Sequence, residues 1–300
     1  MKNLNISTSA LSKICGVSQG TVDRALNNRP GIKLSTKQKI LTAAKKFGYR
    51  APIQANTAKV IGQIGIVVFN LNNEFFSELI MELENAFRSS GYGTSVMFSH
   101  YDADYEIECI INLYNMGVKG IVLCSVNSGT EFTNFLNMLG IPIAAVGNRI
   151  SGVPYIGLDD FASMHRLTET VLKNRWDNIF YFSPAIEYPN AFAQRLRYEG
   201  FLNAAGNTEY TVLTNIEDVC GTYEGKTVFI CSTDYYAIQI YRKNRNVKIF
   251  GFDNISALDK YKLPISSVGY SAAQIAQGAA DIIKNRRKDV FTVDYFIVER

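Results

Sequence analysis

Five short stretches place hydrogen-bonding and aromatic side chains directly at or after apolar runs. They are NLNNEFF after IGQIGIVVF, GNR closing IPIAAVG, RLRYEGF beyond NIFYFS, STDYYA closing KTVFICS, and FDN closing VKIFGFD. Asn, Asp and Arg are planar groups able to share two hydrogen bonds with neighbouring hydroxyls, and aromatic faces lie well against ring C–H groups. The set suits the binding of a small polyhydroxylated ring. Chemistry on such a ring is not indicated, because no acid/base pair, nucleophilic triad or metal cluster stands at a recognisable spacing. No GxGxxG or P-loop is present to cradle phosphates. The two histidines, His100 and His165, have no partner at ligand or triad spacing and read as structural. The five cysteines lack any CxxC pair, and two lie inside the apolar runs IVLCS and VFICS; they read as small core residues in a reducing compartment. Neither a cofactor nor a metal is expected.

A second stretch, VSQGTVDRAL (Val17 to Leu26), carries a different chemistry. With Val22, Ala25 and Leu26 turned inward on a helix, Gln19, Gly20, Thr21, Asp23 and Arg24 are left on or near its exposed side. The charge around it is concentrated. Residues 1–60 hold eleven Lys or Arg against one acid, Asp23, a net of +10, so the remaining 240 residues carry a net of −6. A basic head on a mildly acidic body fits a polyphosphate partner, because neutralising phosphates releases counterions and supplies most sequence-independent affinity.

The elements that must position these groups fall into two regimes. Up to about residue 58, three short helices follow one another. Ser7 caps the first, in which Ala10, Leu11 and Ile14 face inward, and Gly16 ends it in the left-handed conformation. Ser18 caps the second. The third begins near Ser35 and buries Ile40, Leu41, Ala44 and Phe47 before Gly48. Helix, tight glycine turn, helix and a supporting helix form a helix-turn-helix unit, whose second helix enters a major groove with its N-terminal residues against base edges. From Val60 onward, continuous apolar runs at 61–69, 93–98, 120–125, 141–147, 178–183, 226–232 and 247–253 alternate with helical stretches. That pattern predicts parallel sheets covered on both faces, in two lobes, with ligands beyond the C-terminal ends of the strands.

The segment ISTSALSKICGVSQGTVDRALNNRPGIKLSTKQKILTAAKKFGYR closely resembles the DNA-binding headpiece of the lactose-repressor (LacI/GalR) family. The resemblance implies that Gln19 and Gly20 occupy the positions that set operator choice and that Arg24 is the base-reading arginine. Gln addresses adenine through two hydrogen bonds, and Arg is suited to guanine. Ser7, Ser18, Thr21 and Asn27 would position the helix on phosphates while also serving as caps and turn formers. Asp23 replaces the usual serine, an unfavourable acid near phosphates unless a neighbour pairs with it. The junction departs too: no leucine stands between Pro52 and Val60 to wedge into a minor groove, so the segment reads either as a plain linker or, less favoured, as a wedge with Ile53 as substitute.

The body resembles the periplasmic sugar-binding-protein fold that this family carries, and its ribose-type branch in particular. On that resemblance Asn73, Phe75 and Phe76 match an N-x-F-F segment, Arg197 an R-x-x-G-F arginine and Asp253 a G-F-D aspartate, all sugar contacts. Asn148 and Arg149 stand where Asp-Arg is usual, Thr233 and Asp234 where an Asn-Asp pair begins, and Tyr270 where ribose binders carry Gln. One of Phe75 and Phe76 is expected in the core, and Asp234 is equally suited to capping the helix that follows.

The expectation is a helix-turn-helix headpiece with a short hinge at 1–58 and a two-lobed α/β effector-binding and dimerisation domain at 59–300. Such a chain is a transcription regulator acting as a repressor, with double-stranded operator DNA and a small sugar or sugar derivative as partners. It would be a cytoplasmic homodimer with no membrane contact, since no window approaches the roughly 18 consecutive apolar residues of a span. The competing expectation is a cytoplasmic sugar-binding protein or sugar-metabolising enzyme with an accessory basic domain. Turnover of a sugar, or failure to bind duplex DNA at low salt, would favour it.

Overall fold

In the computed structural model the chain divides into two compact units, Met1–Ala58 and Lys59–Arg300. The structure describes residues 6–300 apart from 28, 48, 50–59, 186–187 and 288. The junction carrying Ile53 lies outside the described residues.

The first unit contains α1 (Thr8–Cys15), α2 (Gln19–Leu26) and α3 (Leu34–Lys46). Ser7 caps α1 by accepting from the Ala10 amide, and Gly16 closes it at φ 64°. Ser18 caps α2 by accepting from the Thr21 amide at 3.2 Å. α3 starts with no side-chain cap, at Lys33. The core is narrow: Leu11, Cys15, Val22, Ala25, Ile40 and Ala44 are buried. Full burial of Leu11 and Ile40 contributes about 1.5–3 kcal/mol each. Ile14, Leu41 and Phe47, expected inside, are exposed at 46%, 43% and 42%. Three short helices offer one another only a thin seam, so residues one position off that seam remain in water.

The second unit begins with β1 (Gly62–Val68), α4 (Glu74–Arg88), β2 (Tyr92–Phe98), α5 (Ala103–Asn115), β3 (Ile121–Leu123), α6 (Thr130–Met138), β4 (Ile143–Val146) and β5 (Tyr155–Gly157). It continues with α7 (Asp160–Leu172), β6 (Asn178–Phe182), α8 (Phe192–Ala205), β7 (Thr211–Leu213), β8 (Thr227–Cys231), α9 (Asp234–Lys243), β9 (Lys248–Asp253), α10 (Ser256–Lys260) and β10 (Ile265–Tyr270). It closes with α11 (Ala272–Asn285), β11 (Val290–Thr292) and β12 (Tyr295–Val298). Two six-stranded sheets result, ordered β11-β5-β4-β3-β1-β2 and β12-β10-β9-β8-β6-β7. All pairings are parallel except β12 against β10. Each of the seven apolar runs forms a strand. β5, β7 and β11 are three residues long and leave no comparable run. β10 is hidden differently, because Ser266 and Ser267 are fully buried within it.

The chain passes between the sheets three times, after β5, after β10 and after β11. These short connections define two lobes of one body. The C-terminal ends of the parallel strands in both sheets open onto the cleft between them.

Candidate functional site

The cleft has a volume of about 680 Å³. Its centre is Arg197, on α8 and only 8% exposed. The Arg197 Nε donates to Asp160 Oδ1 at 2.7 Å and Nη1 donates to the Ser232 carbonyl at 2.7 Å. Nη1 also lies 3.7 Å from Asp253 Oδ1. The guanidinium plane rests on the Phe252 ring, 3.6 Å from its centroid. Nη2 has no acceptor among the described residues, so its two N–H groups remain available to a ligand.

Local chain geometry puts these groups together. Asn73 caps α4, its Oδ1 accepting from the Phe75 amide at 3.1 Å, and its Nδ2 donates across the cleft to Asp253 Oδ2 at 2.8 Å. Tyr270, at the end of β10, donates its hydroxyl to Asp253 Oδ1 at 2.9 Å. Asp253 and Asn254 hold φ values of 107° and 47°, conformations rarely adopted by non-glycine residues and concentrated at functional sites. That corner is braced from behind by Asp234, which accepts from the Ile255 amide at 3.0 Å and the Ser267 hydroxyl at 2.7 Å. Gly251 is needed in this arrangement, because a Cβ there would collide with the Asp234 carboxylate.

Charge in the site is unbalanced: two buried carboxylates face one guanidinium. Burial pushes the Asp160 carboxyl up to about 6, with Arg197 acting in the opposite direction. Asp253 is also raised by burial, against the lowering influence of Arg197, Asn73 and Tyr270. Burial alone would lower the Arg197 pKa; Asp160 and Asp253 outweigh it and hold the group above its ordinary value. Two further polar atoms are buried without a partner among the described residues, Thr233 Oγ1 and Gln194 Oε1, and both residues line the cleft. Orphaned buried polar atoms are rare in native proteins, so these two cleft-lining atoms are open to a partner from outside the chain.

Of the expected effector residues, Asn73, Phe75, Phe76, Asn148, Arg197, Thr233, Asp253 and Tyr270 line the cleft. Phe75 is both cleft wall and core, packing 5.2 Å from the Tyr270 ring, whereas Phe76 is half-buried and meets Phe69 edge-on. Asn148 turns its amide to the Ser125 and Asn190 carbonyls at 3.0 and 2.9 Å. Asp234 does not line the cleft; it is a bracing group, and α9 is capped at Thr233 without a side-chain bond. Arg149 also points elsewhere, into a second cavity, with its guanidinium 6.0 Å from the Tyr155 ring centroid.

Sequence reasoning missed Asp160 and the aromatic mouth. Tyr101 stacks on Phe69 at 4.8 Å and reaches Tyr188, from the other lobe, at 5.4 Å. Tyr235, Tyr236 and His100 line the same opening. His100 and Tyr101 both have positive φ, 54° and 64°, a tight reversal that sets the two exposed side chains at the rim of the cleft. A doubled acid, Asp159–Asp160, after a buried Leu158 is the available signal for Asp160: the first caps α7 through the Ala162 amide and the second is buried.

In the first unit, Ser18, Gln19, Gly20, Arg24 and Asn27 are exposed along α2 and Thr21 is half-buried. Asp23 is paired, 3.1 Å from Arg29 Nη1, and accepts from Asn27 Nδ2 at 2.7 Å. Its charge is therefore offset within the helix and the turn that follows.

A two-lobed parallel-sheet body with a polar, aromatic-walled cleft at its strand ends defines a small-molecule receptor fold. The family model described as periplasmic binding proteins and sugar binding domain of LacI family matches residues 61–224, and the chain belongs to that family. The HTH-type transcriptional regulator RegA of Clostridium saccharobutylicum is 25% identical over 97% of this chain and 97% of its own length. The protein is a transcriptional regulator of this family. Among solved structures, a periplasmic binding protein/LacI transcriptional regulator from Alkaliphilus metalliredigens, complexed with D-xylulofuranose, superposes with TM-score 0.70 at 18% identity, covering 80% of this chain and 98% of that one. The lac repressor dimer bound to operator and the anti-inducer ONPF superposes with TM-score 0.66 at 13% identity, covering 98% of each chain.

Proposed function

We propose that the chain is an effector-controlled repressor in which residues 1–58 read operator DNA and residues 59–300 bind a small polyhydroxylated ligand and dimerise. The observation that carries the ligand assignment is that Arg197 Nη2, Thr233 Oγ1 and Gln194 Oε1 have no partner among the described residues and belong to a cleft walled by Phe75, Phe76, Tyr101 and Tyr188. Asn73, Asp253 and Arg197 hold ring hydroxyls, Asn148, Thr233 and Tyr270 complete the polar rim, and the aromatic faces cover the ring. In the headpiece Gln19 and Arg24 read bases, Gly20 allows close approach, and Ser7, Ser18, Thr21 and Asn27 contact phosphates.

Regulation follows from differential affinity. An effector bridging Asn73 of one lobe and Asp253 or Arg197 of the other favours the closed cleft, and a coupling of about 1–3 kcal/mol to the operator-binding state gives a 5- to 150-fold response. No helix among the described residues is long and apolar enough to cross a membrane. A DNA-reading regulator works in the cytoplasm.

A thermal-shift screen of the full chain against sugars and sugar derivatives tests the reading. A true effector at 100 times its dissociation constant stabilises the body by about 2.7 kcal/mol. Absence of any shift across pentoses, hexoses, disaccharides and their derivatives would defeat the ligand assignment, and failure to select any duplex from a random pool would defeat the regulator mechanism.

A further inference from the structure

We infer that the second cavity of the body, separate from the effector cleft, is a binding site for a phosphate-bearing anion. This groove, of about 810 Å³, is lined by Arg149, Arg195, Arg286 and Arg287, and none of its lining residues is acidic. That is the reverse of the surroundings: residues 61–300 carry a net charge of −6. All four arginines are exposed. Only Arg195 has a carboxylate partner among the described residues, Glu199 Oε1 at 3.7 Å. Arg149 and Arg287 lie near aromatic faces, 6.0 Å from Tyr155 and 5.8 Å from Phe291, which orients their guanidinium groups without consuming their charge. Four like charges around one concavity repel one another unless an anion occupies it. Guanidinium forks match phosphate oxygens two at a time, so a ligand with two or more negative charges fits the set.

The groove shares a wall with the cleft. Asn148 faces the cleft and Arg149 the groove; Ala193 and Gln194 face the cleft, Phe192 and Arg195 the groove. The wall is stitched by Asn190, which donates Nδ2 to the Asn127 and Arg149 carbonyls at 2.9 and 3.3 Å and accepts from Asn148 Nδ2 at 2.9 Å. An anion that draws Arg149 and Arg195 together acts on both lobes through this segment, so the groove is placed to modulate effector affinity.

Calorimetry of the full chain with inorganic pyrophosphate at constant ionic strength tests the site, with two variants alongside, Arg149→Gln and the double variant Arg286→Gln/Arg287→Gln. The expected result is saturable binding to the wild type, weakened about tenfold or more in each variant, a factor equivalent to about 1.4 kcal/mol. Melting temperatures close to wild type show that both variants are folded; the exposed Arg286 and Arg287 pair provides this even if Arg149 supports local packing. No saturable binding to the wild type at millimolar pyrophosphate, or equal binding by all three proteins, overturns the inference. The sugar screen is independent: an intact sugar response without pyrophosphate binding removes the groove alone, and the converse removes the cleft ligand alone.

Discussion

Arg197 donates its Nε–H to Asp160 Oδ1 across 2.7 Å, tying the interior of α8 to the first residue of α7. The same guanidinium faces Asp253 at the end of β9 and lies on Phe252, so one side chain gathers three elements of one lobe at the cleft floor. Replacing Arg197 by Met leaves two buried carboxylates without their cation. The expected loss of stability is about 3–5 kcal/mol, read from urea unfolding followed by circular dichroism. Arg197→Lys keeps the charge but not the planar fork; it should recover part of the stability and still show no ligand-induced thermal shift.

The Asp160 carboxyl gives the fold a pH dependence of defined sign. Its pKa is about 6 in the folded chain, raised by burial, against an unfolded value of about 3.9. The folded state therefore holds the proton more tightly. The resulting stabilisation is complete below about pH 4 and is lost as pH rises through about 6. Asp160→Asn removes this titration. The melting temperature of the wild type relative to Asp160→Asn is expected to fall between pH 4 and pH 6 and to level off above; a difference independent of pH would show that Asp160 does not titrate in that window.

Gly200 explains why an R-x-x-G-F segment places its arginine. A Cβ at Gly200 would run into the Phe161 carbonyl, so the glycine lets α8 press against α7 one turn from the Arg197–Asp160 pair. Gly200→Ala should cost about 1–3 kcal/mol through overpacking, despite the better helix propensity of alanine. Because the helices must separate, the same variant should lose most of its sugar-induced thermal shift. Retention of wild-type stability would mean that the two helices tolerate a wider spacing.

Two residues of the site that can be read from sequence, Asp253 and Asn73, share one property: they come at or after the end of a long apolar strand. Asp253 closes the six-residue β9 and Asn73 follows the seven-residue β1, so the direction of the strand already aims them at the cleft. Asp160 follows β5, whose three residues leave no apolar run to point with. Tyr101 and Tyr188 sit on loops, where side-chain direction depends on a positive φ or on the opposite lobe. Asp234 and Arg149 turn away from the cleft from two different settings, the first residue of α9 and the connection between β4 and β5. Each adjoins a residue that does face it, Thr233 or Asn148, and one step along the chain carries the next side chain to another side of the backbone. In the headpiece the helices and caps are legible, but the inward face is narrower than the apolar pattern suggests, because the seam between three short helices admits only about two residues from each.

In the headpiece an acid, Asp23, stands beside the groups proposed to read bases, Gln19 and Arg24. Gln19 and Arg24 are exposed and contribute nothing to the buried seam, so Gln19→Ala/Arg24→Ala should melt like the wild type. Its affinity for a selected operator should fall by about 1–3 kcal/mol for each base edge no longer read, while binding to unrelated duplex changes less. Asp23 is the discriminating position. Its carboxylate is held by Arg29 and Asn27, so its repulsion of phosphates is already partly cancelled. Asp23→Ser removes that charge and frees Arg29, and duplex affinity measured by fluorescence anisotropy at low salt should rise a few-fold for operator and unrelated sequence alike. The gain should shrink as salt is added, because it comes from counterion release. If affinity instead fell, the Asp23–Arg29 pair would be acting as a clamp that holds Arg24 and Asn27 in position, and the acid would have to be counted among the groups that build the reading surface.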